Sequence, residues 1–110
     1  MSVNQDAVFN AEEIRDTNTH TSSQVFNGDM VIKSLIVENG HNQTGTFQCE
    51  GSAHSDFSNP FLIGSSWDVS ANTNSLQTCD SYIPYWRIKV SYASAPSSGS
   101  LSVHVLGVSS

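Results

Sequence analysis

Apolar and polar positions alternate with a period of two along much of the chain. Over residues 82–92, Trp86, Ile88, Val90 and Tyr92 fall on one side and Tyr85, Arg87, Lys89 and Ser91 on the other. That is the pattern of a strand with one face in a core and the other in water or against a partner. Beyond it, Ser94-Ala95-Pro96-Ser97-Ser98-Gly99 is a turn-forming string, and Leu101, Val103 and Val105 then alternate with Ser100, Ser102 and His104. Together the two runs predict a C-terminal β-hairpin. Upstream, Phe47 and Cys49 point opposite to Thr46, Gln48 and Glu50, and Ser65, Trp67 and Val69 share a face. Residues 30–37 mix both faces, as a strand buried on both sides or bent midway would. Turn-rich clusters at 38–42, 51–60 and 70–75 separate these runs. Apolar residues do not recur at three and four, so the spacing predicts an all-β fold: a small antiparallel β-sandwich or jelly roll.

The first 29 residues break the pattern. They are polar, with Asp6, Glu12, Glu13, Asp16 and Asp29 against Arg15 alone, and their apolar side chains Val8, Phe9, Ile14, Val25 and Phe26 are scattered. The chain therefore divides into an N-terminal arm or set of edge strands at 1–29 and a β-sandwich body at 30–110. As an arm, the first part is an attachment element: Val8, Phe9 and Ile14 anchor an added strand on a neighbouring subunit, and the acids around them suit a partner that presents Lys or Arg. The alternative is that these residues form the first strands of the sandwich itself.

With 110 residues there is room for one small domain. Lys+Arg number 4 against Asp+Glu 10, a net charge of -6, which repels nucleic-acid phosphates and anionic membrane surfaces. No nucleic-acid or membrane partner is expected. No run approaches the roughly 18 apolar residues of a membrane-spanning helix, and residues 1–6 lack the basic and apolar regions of a signal peptide. Cys49 and Cys79 lack metal-ligand spacing and are either two buried thiols or one disulfide, free thiols being the expectation in a reducing cytoplasm. His20, His41, His54 and His104 are scattered, with no paired-ligand motif, so no metal or cofactor is expected. His54 and Asp56 share a loop with several serines, but no Gly-x-Ser-x-Gly elbow accompanies them, and an enzyme is not indicated. The sequon Asn42-Gln43-Thr44 reads as a turn.

Two features remain for recognition. Arg87, flanked by Tyr85 and Trp86, offers its guanidinium to a partner carboxylate or to an acid of its own chain, Glu50 or Asp68. Trp67, Tyr82, Tyr85, Trp86 and Tyr92 would form a sugar-stacking platform if exposed, the basis of an alternative reading as a carbohydrate-binding module. Core packing accounts for Trp86 and Tyr92 more economically, because they alternate in phase with Ile88 and Val90. Exposed edges on so small a sandwich lead to a homo-oligomer, expected to be a trimer.

The order Val37-Glu38-Asn39-Gly40, Phe47-Gln48-Cys49-Glu50-Gly51-Ser52, Trp67, Tyr85-Trp86-Arg87-Ile88-Lys89-Val90 and Ala95-Pro96-Ser97-Ser98-Gly99-Ser100-Leu101 resembles small β-sandwich proteins encoded in the structural gene clusters of tailed phages. The resemblance covers residues 37–107 and rests on order and spacing. It carries no catalytic residues. What it implies is a virion component such as a head decoration or cement protein, made in the host cytoplasm, located on the capsid surface and partnered with the major capsid protein. A tail or neck position is compatible with it. The cysteines and the acidic N-terminal segment lie outside the shared pattern.

Overall fold

The period-two pattern is realised as strands throughout. Residues 2–23, 25–26, 30–81 and 84–109 are described in the computed structural model, and they form nine strands and no helix. The strands are β1 (Ser2–Glu12), β2 (His20–Thr21), β3 (Val25–Phe26), β4 (Met30–Asn39), β5 (Gly45–Ser52), β6 (Phe61–Val69), β7 (Thr73–Ser81), β8 (Tyr85–Tyr92) and β9 (Leu101–Ser109). All pairings are antiparallel. One sheet has the order β1-β9-β4-β7; the other has β2-β8-β5-β6, with β3 also on β8. Because β2 and β3 are two short pieces along one edge of β8, the sandwich has four strand positions per sheet. The chain crosses from sheet to sheet after β1, β3, β4, β6, β7 and β8, which is the double Greek key of a jelly roll.

The core lies between the sheets. Trp86, Ile88, Val90 and Tyr92 of β8 and Phe47 and Cys49 of β5 face Leu35 and Val37 of β4 and Leu101, Val103 and Val105 of β9. Burying each large apolar side chain contributes about 1.5–3 kcal/mol, which is how so polar a chain holds together.

The N-terminal segment is part of this body. β1 pairs along β9 from Ser2↔Ser109 to Glu12↔Leu101, so it is an edge strand of the first sheet. Val8, Phe9 and Ile14 are buried in the chain's own core, at 9%, 6% and 1% exposure, which corrects the expectation that they anchor a neighbouring subunit. The reason is a β-bulge. Ala7 opposes His104 and Phe9 opposes Val103, so Val8 is an extra residue, and both Val8 and Phe9 join the core. β4 is bent midway: Ile32 opposes Gly107 and Ser34 opposes Leu106, leaving Lys33 as the extra residue.

A second correction concerns the C-terminus. β8 and β9 do not form a hairpin; they lie in different sheets, and residues 93–100 cross between them. The crossing needs a close backbone approach, in which Gly40 N–H donates to Ser100 O at 2.9 Å and Gly99 sits at φ +86° against the Gly40 carbonyl. Around it four loops are fastened by buried polar groups. Asn39 Nδ2 donates to the carbonyls of Gln43, Val69 and Ser70, each at 3.1 Å. His41, fully buried, accepts the Ile14 N–H on Nε2 at 3.4 Å. That leaves the ring proton on Nδ1, which donates to Ser98 O at 3.1 Å.

Cys49 is buried on β5, whereas Cys79 lies on β7 in the other sheet with its side chain outside the described residues. The question of a Cys49–Cys79 bridge lies outside them too.

Candidate functional site

The outer face of the second sheet carries the chain's most organised surface chemistry. Cross-strand register sets Glu50 of β5 between Leu62 of β6 and Arg87 of β8. Arg87 Nε donates to Glu50 Oε1 at 2.9 Å, and Lys89 Nζ lies 3.2 Å from Oε2. Burial alone would push the Glu50 carboxyl up, but the hydrogen bonds and charges of Arg87 and Lys89 overcome it and hold the group below its usual 4.5.

An outward-pointing glutamate is buried here because residues 53–60 fold back over the sheet. Ser52 shapes that loop: its Oγ donates to Ser58 O at 2.6 Å and accepts the His54 N–H at 3.1 Å. Phe57 N–H donates to His54 O at 3.0 Å, and the Asp56 carboxylate accepts the Ser58 N–H at 3.1 Å. Asp56 thus serves a turn. Phe57 adopts φ 57°, a left-handed conformation that is uncommon for a bulky side chain, and in return its ring is buried beneath the Arg87 guanidinium at 4.0 Å. Stacked on Phe57 and tethered to Glu50, Arg87 is held in one orientation. Lys89 beside it is partly exposed, and Leu62, opposite Glu50 on the same outer face, is 66% exposed, whereas Phe61 alternates to the other face, opposite Gly51. Fixed cations near an exposed apolar side chain suit contact with a protein surface bearing carboxylates and apolar groups.

Of the two acids expected to pair with Arg87, Glu50 is its partner; Asp68 instead accepts the Thr46 hydroxyl at 2.7 Å. Tyr85 is half-buried and stands opposite Ser52 in the same sheet. The sugar-stacking platform does not assemble. Trp86 and Tyr92 are 3% and 1% exposed, and Trp67 stacks on Phe47 at 5.9 Å against the core. Tyr82 lies outside the described residues. The histidines stay apart: His41 is in the loop cluster, His20 pairs with Asp16 at 2.7 Å, and His104 pairs with Glu38 at 2.8 Å. Among the described residues no group of three or more His, Cys, Asp or Glu could hold a metal ion. The sequence reading missed Phe57 and Leu62. Their partnership with Glu50 and Arg87 depends on register and loop return, which alternation does not encode; two adjacent apolar residues after Pro60 were the available signal.

No protein-family model matches the chain, and no curated protein matches it. Solved structures do. PBSX exported protein XepA superposes with a TM-score of 0.67 at 15% identity, covering 96% of this chain and 37% of XepA. The chain thus spans little more than a third of XepA's length. PirA superposes with a TM-score of 0.52 at 17% identity, covering 94% of this chain and 90% of PirA. The coat protein of Tobacco streak virus gives a TM-score of 0.50 at 14% identity, covering 97% of this chain and 86% of the coat protein. At these identities the likeness is one of fold, and the chain is a jelly roll similar over nearly its whole length to a viral coat protein.

Proposed function

We propose that this chain is a non-enzymatic viral structural protein, a decoration or cement protein that binds and stabilises the head of a tailed phage. The observation that carries the reading is the jelly-roll strand order, similar over 97% of the chain to a viral coat protein. The resemblance to phage structural proteins over residues 37–107 points the same way. With β1 built into the sandwich, attachment passes from the N-terminal segment to the outer face of the second sheet. There Arg87 and Lys89 meet carboxylates of the major capsid protein, and Leu62 supplies the apolar contact. Self-association belongs to the same reading, since the sheet edges of so small a body need covering.

The test is sedimentation of purified protein with phage heads that lack it. Binding at a fixed ratio to the major capsid protein is expected, and a double variant Leu62→Asp, Lys89→Glu should weaken it by at least about tenfold. Failure to bind heads, or retention of the free protein on sugar resins, overturns the reading.

A further inference from the structure

Two sheets leave four free edges, and β-proteins blunt such edges with bulges, short strands, charge or proline. Three of the four are blunted here. β1 carries register shifts at Ala7/Phe9 and Phe9/Glu12, and β2 and β3 are two residues each. β6 carries a wide bulge where Phe47↔Trp67 gives way to Cys49↔Ile63, with Gly64 at φ +69° and the Gln48 amide donating into it at Ile63 O and Gly64 O. β7 is different. It pairs with β4 in unbroken register from Asn39↔Thr73 to Ser34↔Thr78, its register shift and its one charged residue, Asp80, both falling beyond that run, where Ser34↔Thr78 gives way to Ile32↔Ser81. Its other side is the end of the sheet, and Leu76 at the middle of the straight run is 61% exposed.

We propose that the β7 edge takes the β7 strand of a second copy of this chain, antiparallel about a two-fold axis, joining two four-stranded sheets into one continuous sheet. The charge pattern selects this occupant. Copies carrying -6 each repel over most approaches, whereas along the straight run from Thr73 to Thr78 neither brings a charge. Centring the pairing on Leu76 sets Leu76 against its counterpart, Ser75 against Gln77 and Asn74 against Thr78. That register has an apolar contact at the axis and no like-charge pair. The inference rests on the self-association part of the proposed function and replaces the three-fold expectation with a two-fold one.

Sedimentation equilibrium of the full chain should give a mass near twice 11.9 kDa. Leu76→Lys, which places two ammonium groups face to face, should raise the dissociation constant at least about tenfold with an unchanged far-UV circular dichroism spectrum. Leu76→Cys under mild oxidation should yield a dimer whose linked peptides map to position 76 in both copies. Leu62→Lys on the blunted β6 edge should leave the mass alone. A monomer at about 100 µM, a trimer mass, or association that survives Leu76→Lys overturns the inference. Head binding is scored separately: a monomeric Leu76→Lys protein that still binds heads leaves the capsid role standing, and a dimer that does not bind them removes only that role.

Discussion

Tyr92 faces two ways, packing into the core with its ring and into the loop end with its hydroxyl. The ring lies edge-on to His41 at 5.2 Å, and the hydroxyl donates to Asn39 Oδ1 at 2.8 Å. Burial pushes its phenol up from 10.0 to about 12. Because the folded value is raised, the stability it represents is complete below pH 10 and lost as pH climbs from 10 to 12, a change of about 3 kcal/mol. Tyr92→Phe should remove that alkaline loss. It should also cost about 1 kcal/mol at neutral pH, because Asn39 Oδ1 then keeps only the His41 N–H at 3.4 Å. Urea unfolding between pH 7 and 12 checks both, and an unchanged alkaline slope in the variant would place the titrating group elsewhere. Nothing in the sequence marked this cluster. Asn39 and His41 sit in a polar turn string that reads as solvent-exposed, and only the return of three other loops onto it makes the polar groups interior.

At the scale of elements, what was legible followed the regularity of the alternation. β8 and β9 keep period two without interruption, and their inward residues are the ones the pattern names: Trp86, Ile88, Val90 and Tyr92, then Leu101, Val103 and Val105. β1 was illegible because a bulge breaks the phase, putting neighbours Val8 and Phe9 on the same side. Alternation also names faces and not partners. Pro96 and Gly99 suit a tight turn equally well whether the next strand pairs with the last or crosses to the opposite sheet. The structure gives Gly99 a stricter task. A Cβ there would stand 1.9 Å from the Gly40 carbonyl oxygen, a backbone atom that cannot swing aside, at a φ that side chains rarely adopt. Gly99→Ala should therefore destabilise the fold by about 2–4 kcal/mol and lower the melting temperature, whereas Ser98→Ala one position earlier should change it little. Equal melting temperatures for the two variants would mean that the crossing tolerates a side chain.

For the molecule as a whole, the order of strands decides which parts are separable. β9, the last strand, lies between β1 and β4, so the first and last segments of the chain meet in one sheet. An acidic, apolar-poor N-terminal segment looks dispensable in sequence, and under the arm reading a chain lacking residues 2–16 would keep a folded body. Topology reverses that expectation. The deletion takes Val8, Phe9 and Ile14 out of the core and strips β9 of its partner along eight paired positions, from Ser2↔Ser109 to Glu12↔Leu101. It also removes the Ile14 N–H from His41 and the Arg15 guanidinium from Gly99 O, two of the bonds that close the loop end. Loss of three buried apolar side chains costs about 6 kcal/mol or more, comparable with the whole stability of a domain this size. A chain lacking residues 2–16 should be insoluble or lack a cooperative thermal transition. A truncated protein that melts cooperatively would show that the body stands without β1, and would return the N-terminal segment to the role of an arm.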